Sequence, residues 1–285
     1  MGISLRPGTP DDAQACGTIC YEAFKNISEA HGFTPDFPSA DVSIGLMRVL
    51  LGHRAFYAVV AEQDGRVVGS NFLDERNPIA GLGPITVDPA VQNQSIGRRL
   101  MENAHQRIAH KSCPGVRLVQ TGFHTRSLAL YSKLGYDVRE PLACMQGPTV
   151  IRAVAGYPVR PATAADFDAC NQLCRKIHGY DRGGELQDAI TERTATVVEH
   201  EGRITGYATL IGFFGHAVGE TDDELQALIS AAEAFAGPGV LVPTRNAALF
   251  RWCLAHGLRV TQPLTLMSAG QYIEPAGAFL PSILY

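Results

Sequence analysis

Residues 84–104 read Pro84-Ile85-Thr86-Val87-Asp88-Pro89-Ala90-Val91-Gln92-Asn93-Gln94-Ser95-Ile96-Gly97-Arg98-Arg99-Leu100-Met101-Glu102-Asn103-Ala104. Ile85, Thr86 and Val87 have the β-branched character of a strand, and Pro89 ends it because proline donates nothing to a ladder. From Ile96 the apolar residues Ile96, Leu100, Met101, Ala104 and Ile108 recur at helical spacing, which predicts a helix. Gln92, Asn93, Gln94, Ser95, Ile96 and Gly97 bridge strand and helix. Ser95 and Gly97 keep bulk away from the helix start, while Arg98 and Arg99 add positive charge beside it. Free N–H groups and the helix dipole favour an anion there, and a pyrophosphate is a common guest.

The order strand, Gln-x-x-Ser-x-Gly, helix resembles the acyl-CoA-binding motif of GNAT N-acetyltransferases, with Ser95 standing where the family usually has its first glycine. A second segment, Leu130-Tyr131-Ser132-Lys133-Leu134-Gly135-Tyr136, resembles the family's Leu-Tyr-x-x-x-Gly-Phe/Tyr stretch. The resemblance implies acetyl-CoA as acyl donor, held by Ile85–Val87 and Gln92–Arg99. It also implies Tyr131 as the acid that protonates the departing thiolate. The family often has asparagine seven residues before that tyrosine; here His124 occupies the place and is counted with the cofactor site.

The chain has 285 residues, 46% of them hydrophobic and 18% charged, with a net charge of −4. That describes a globular chain of about two domains. No basic stripe interleaved with aromatics suggests nucleic acid, and no apolar run approaches membrane-spanning length. Seven cysteines without C-x-x-C spacing suit buried thiols of a cytoplasmic protein, and no His/Cys cluster has metal-ligand spacing.

An internal repeat organises the whole. Leu5-Arg6-Pro7-Gly8-Thr9-Pro10-Asp11-Asp12 returns as Val159-Arg160-Pro161-Ala162-Thr163-Ala164-Ala165-Asp166, each with a capping-box pattern. Cys16 and Cys20 return as Cys170 and Cys174. Predicted hairpins turn at Asp64-Gly65 and Glu201-Gly202, and helices ending at Gly135 and Gly257 close the two copies. The expected architecture is α+β: two tandem GNAT-like domains, residues 1–150 and 151–285, each a mixed, mostly antiparallel sheet flanked by helices. The second copy lacks the phosphate loop. In its place Glu220, Asp222, Asp223 and Glu224 crowd a helix start, which suits the dipole and repels a pyrophosphate.

The expected reaction is transfer of an acetyl group from acetyl-CoA to a small-molecule amine by direct attack in a ternary complex, in a monomer or homodimer. An alkylamine is unprotonated only about once in two thousand at neutral pH, so a base is desirable. Glu22, Glu29, His31, Asp36, Asp74 and Glu75 are the candidates. Residues 28–39 follow the first helix, where the family places its acceptor loop, and combine His31, Phe33, Asp36 and Phe37; with Asp74 these form the expected acceptor site. A CoA-binding sensor without turnover, a transferase of longer acyl groups and a purely structural or interaction module are the alternatives. The apolar C-terminal stretch 271–285 is expected to dock on its own chain or a partner.

Overall fold

The computed structural model describes residues 2–284. The first half runs β1 (Ser4–Pro7), α1 (Ala13–Ala30), α2 (Ala40–Gly52), β2 (Phe56–Gln63), β3 (Arg66–Asp74), β4 (Ala80–Leu82), β5 (Thr86–Val87), α3 (Ile96–His110), β6 (Gly115–Thr121), α4 (Thr125–Lys133) and β7 (Asp137–Gln146). The second half repeats it: β8 (Val159–Pro161), α5 (Phe167–His178), α6 (Gly183–Thr191), β9 (Thr196–His200), β10 (Arg203–Ala208), β11 (Ala217–Gly219), α7 (Asp222–Ala231), β12 (Val240–Pro243), α8 (Ala247–Ala255), β13 (Arg259–Gly270) and β14 (Ala278–Leu280).

The repeated Arg-Pro-x-Thr-x-x-Asp pattern has a local cause. Asp12 accepts hydrogen bonds from the Thr9 amide and hydroxyl while Arg6 grips both its oxygens at 2.8 Å. Asp166 does the same with Thr163 and Arg160. Each box thus ties a strand to the helix after it. Asp64 and Gly65 both have positive φ, as do Glu201 and Gly202, the conformation that a two-residue hairpin turn requires.

Among the described residues the strands form two sheets, both mostly antiparallel and flanked by helices. The larger has the order β1-β2-β3-β4-β6-β13-β7-β12, with β5 paired to β3; the smaller runs β14-β11-β10-β9-β8. β13, from the second repeat, lies between β6 and β7 of the first, and β7 in turn pairs with β12. The repeats are separated in sequence between β7 and β8, while the hydrogen-bond ladder runs straight across them. The two halves also meet at Gly184, where a Cβ would run into the Arg76 carbonyl oxygen, and where Arg76 reaches Asp188 at 3.0 Å.

The larger sheet has one opening. β4 pairs with β6 in parallel, but only at Ala80–Val116 and Gly81–Arg117. Beyond that the chain swings away, and β5 pairs with β3 alone. Strands β5 and β6 therefore diverge, and β5 keeps an unpaired backbone edge facing the gap.

Candidate acyl-transfer cleft

The gap widens into a cleft of about 640 Å³. One wall is the chain from Leu82 to Val87 and the opposite wall is Leu118–Thr121 of β6. The start of α3 and the inner face of α4 close one end. Phe24 and Ile27 of α1, with Asp36 and Phe37 beyond it, line the other side.

The loop before α3 explains its own sequence. Asn93 and Ser95 both have left-handed backbone, φ +69° and +61°. Ser95 thus occupies a conformation that costs glycine least, which accounts for glycine at this place in the motif it resembles. Arg126 steadies the turn by donating to Asn93 Oδ1 at 2.7 Å. Ser95 is the N-cap residue, yet its side chain makes no capping bond, and the helical ladder begins with Arg99 N donating to Ser95 O at 3.1 Å. The amides ahead of Arg99 consequently face the cleft mouth without a helical acceptor. A Cβ built on Gly97 meets Leu130 and Val87 at 3.8 and 3.9 Å, both cleft residues. The protein has room for a side chain at Gly97. Its absence leaves a cradle for a ligand, and the bare helix end with Arg98 and Arg126 beside it fits a pyrophosphate.

Tyr131 is buried on α4 with its ring in the cleft lining. Its hydroxyl has no hydrogen-bond partner among the described residues, and burial pushes its pKa above the usual phenol value, so it stays protonated at neutral pH. His124, at the N-terminus of α4, also lines the cleft; burial, then the nearby Arg126, lowers its pKa and keeps the ring neutral. Of the six base candidates, only Asp36 lines the cleft. It accepts one hydrogen bond, from Gln262 Nε2 of β13 at 2.7 Å, and burial raises its pKa.

Other expected residues are drawn elsewhere. Asp74 is buried and held by the Arg76 guanidinium at 2.7 Å, so it is a structural ion pair beside the inter-repeat contact rather than a substrate ligand. Glu75 is likewise taken by Arg107. His31 and Phe33 stack on Phe123 outside the cleft, at ring-centroid distances of 5.3 and 4.3 Å. Helix α1 continues through Ala30, so the connecting loop begins only at His31 and presents Asp36 and Phe37 inward. Arg99 turns away to donate to the Ile3 carbonyl at 2.7 Å, and Gln94 is exposed. Ile85, Thr86, Val87, Gln92, Asn93, Ser95, Ile96, Gly97 and Arg98 do converge on the cleft.

Sequence reasoning missed a whole wall. Phe213 and Phe214 of the second repeat and Ile283 and Leu284 of the C-terminal stretch line the same cleft. The two adjacent aromatics lie between Gly212 and Gly215 in a turn without periodicity, and only the sheet topology brings them here. The C-terminal stretch docks on its own chain: β14 pairs with β11, and Ile283 N donates to Phe213 O at 2.8 Å.

The corresponding place in the second repeat is closed. Helix α7 caps itself, Thr221 Oγ1 donating to Glu224 Oε2 at 2.6 Å and accepting from Asp223 N. Strand β14 occupies the sheet edge that β5 leaves open in the first repeat. Glu140, Arg245 and Glu274 then line a remnant of about 130 Å³.

Residues 54–138 match the acetyltransferase (GNAT) domain. Three solved structures align over 97% of this chain: a candidate acetyltransferase from Pyrococcus horikoshii (17% identity, 94% of that chain, TM-score 0.75), a GCN5-related N-acetyltransferase from Sphaerobacter thermophilus (17%, 98%, 0.60) and a tandem GNAT protein from the clavulanic acid biosynthesis pathway (16%, 99%, 0.56). The fold is a tandem GNAT fold. At these identities the likeness carries architecture alone. YdhI, an uncharacterized protein of Bacillus subtilis (strain 168), is 28% identical over 53 residues; this chain covers about a third (33%) of its length. The GNAT match lies wholly in the first repeat and spans the loop, α3, Tyr131 and β6, part of the cleft lining. Among the described residues no helix is long and apolar enough to cross a membrane.

Proposed function

We propose that the first repeat is an acyl-CoA-dependent N-acetyltransferase acting on a small-molecule amine, and that the second repeat is retained as scaffold and cleft wall. The observation that carries this reading is the contrast between the two helix starts. α3 is uncapped beside a bare Gly97 at the mouth of a large cleft, whereas α7 caps itself beside a filled one.

Acetyl-CoA bound there supplies an acyl group activated as a thioester. The chain's part begins with placement: the α3 amides with Arg98 and Arg126 hold the pyrophosphate, and the free edge of β5 offers backbone groups to an extended pantetheine arm. Tyr131 keeps a proton at its hydroxyl, facing the cleft, for the sulfur that leaves as the C–S bond breaks. An ammonium first gives up one proton to become nucleophilic, and the nitrogen loses a second as the C–N bond forms; the carboxylate of Asp36 and the neutral His124 both line the cleft as receivers, directly or through water.

Tyr131→Phe is expected to reduce turnover by at most about 100-fold, the low end of general-acid catalysis, because a thiolate is already a tolerable leaving group. Melting temperature should not fall, since the hydroxyl has no partner to lose, and acetyl-CoA affinity should change little. Turnover unchanged across the pH range would remove Tyr131 as the acid.

Titration calorimetry should give one acetyl-CoA per chain. Two equivalent sites would show that α7 and β14 yield to the ligand. Absence of any heat with acetyl-CoA would overturn the acyl-transfer reading, and binding without turnover of any amine would favour the sensor alternative.

A further inference from the structure

We propose that the acceptor is a compact apolar primary amine, its ammonium held by Asp36 and its carbon skeleton lying against Phe213, Phe214, Ile283 and Leu284 of the second repeat. This deepens, and rests on, the acyl-transfer reading of the same cleft.

The charged groups of the cleft are divided between its walls. Arg98 and Arg126 belong to the α3–α4 side, where the phosphates would lie. Asp36 belongs to the opposite side, on the loop between α1 and α2. No cation pairs with it among the described residues; the neutral donor Gln262 is its one hydrogen-bond partner. Gln262 itself is 3% exposed, and its Oε1 is buried without a donor among the described residues. A desolvated carboxylate with a single neutral donor is costly unless something positive joins it. A primary ammonium brings one charge and three N–H donors, matching a site that has acceptors to spare.

What surrounds Asp36 restricts the rest of the molecule. Phe24 and Phe37 lie with ring centroids 6.2 Å apart, and Phe214 and Leu284 pack against the same apolar cluster. Phe213 and Phe214 meet edge to face at 5.5 Å, in a turn fixed by Phe213 N donating to Ala236 O at 2.8 Å. The C-terminal stretch is pinned to that turn through Ile283. Such a lining rewards buried carbon and supplies no counter-cation for a carboxylate near Asp36. It likewise offers no second anion for a diamine. Amino acids and polyamines are therefore disfavoured, and a molecule such as 2-phenylethylamine fits.

The test uses the full-length protein and acetyl-CoA, with thiol release measured for 2-phenylethylamine, phenylalanine, butane-1,4-diamine and methylamine. kcat/KM for 2-phenylethylamine should exceed that for phenylalanine and the diamine at least tenfold. Asp36→Asn should raise its KM at least tenfold while the acetyl-CoA dissociation constant, by calorimetry, stays within twofold. Phe214→Ala should raise KM for 2-phenylethylamine severalfold more than it raises that for methylamine. If acetyl-CoA binds but phenylalanine or the diamine is used as well, if none of the four is a substrate, or if Asp36→Asn leaves KM unchanged, the acceptor class is wrong while the acyl-transfer reading survives. A preference for hexanoyl-CoA over acetyl-CoA that Phe214→Ala abolishes would assign the apolar wall to the donor's chain and overturn the proposal. Failure of acetyl-CoA to bind overturns both readings.

Discussion

Gly97→Glu is expected to weaken acetyl-CoA binding by at least about 100-fold in a protein that remains folded. The fold should tolerate the change. A Cβ at Gly97 has its nearest neighbours at 3.8 and 3.9 Å, which is ordinary contact. Replacing glycine in a helix removes a cost of up to ~1 kcal/mol, and a carboxylate in the first turn suits the dipole by a further ~0.3–1 kcal/mol. The ligand is the loser. The side chain extends from a position flanked by Val87 and Leu130, into the cradle, and brings negative charge to the amides proposed to hold phosphate. Each charge-assisted bond that is lost is worth ~1.5–3 kcal/mol, so two of them account for the expected factor without counting the steric block. A dissociation constant unchanged in calorimetry, with the melting curve intact, would move the phosphate site away from α3.

Acidification from pH 7.5 to 5 is expected to lower folding stability, chiefly through two histidines far from the loop. His178, the last residue of α5, and His216, just before β11, are fully buried with their Nε2 atoms 3.0 Å apart. One ring must donate and the other accept, so the pair is stable only while at least one ring is neutral. Burial foremost lowers both pKa values well below the ordinary one; His216 also lowers that of His178, and Arg182 and Arg117 push both the same way. Below about pH 6.5 the unfolded chain takes up protons that the fold refuses, and each refusal costs ~1.4 kcal/mol per pH unit. Stability is therefore full above the unfolded pKa and falls as pH drops. The depressed carboxylates Asp12, Asp166 and Glu220, held down mainly by their arginine partners, have the same sign but act at lower pH, below the ordinary carboxylate pKa. Asp36, raised by burial, opposes the trend. Denaturant titrations at several pH values check this. A flat profile between pH 7.5 and 5 would rule out the histidine pair as the cause. A flatter profile in a His178→Gln, His216→Gln double variant, whatever its absolute stability, would support it.

The sequence by itself determined the local pieces and their repetition. Capping boxes, two-residue turns and helix-ending glycines act over three to eight residues, so Thr9 with Asp12, Asp64-Gly65 and Gly135 could be read directly. The uncapped loop before α3 was legible for the same reason: its amides come from consecutive residues, and Gly97 needs no distant partner to be bare. Asp36 and Phe37 were found through the resemblance, which marked the loop but could not say which of its side chains turn inward. His31 and Phe33 differ from them only in meeting Phe123, more than eighty residues on. Asp74 shows the opposite error, a carboxylate promising in sequence whose charge Arg76 takes up two residues later.

Only the tertiary structure decided how the copies share one sheet, and with it the second wall of the cleft. The β6-β13-β7-β12 ladder is set by non-local hydrogen bonds, to which no periodicity points. It carries Gln262 to Asp36 across more than two hundred residues of chain. The same packing sets the Phe213–Phe214 turn and the C-terminal Ile283 and Leu284 against the first repeat's cleft. Strand β14 is the plainest case: an apolar tail in sequence becomes, by pairing with β11, the element that fills the second repeat's opening and leaves the first one free.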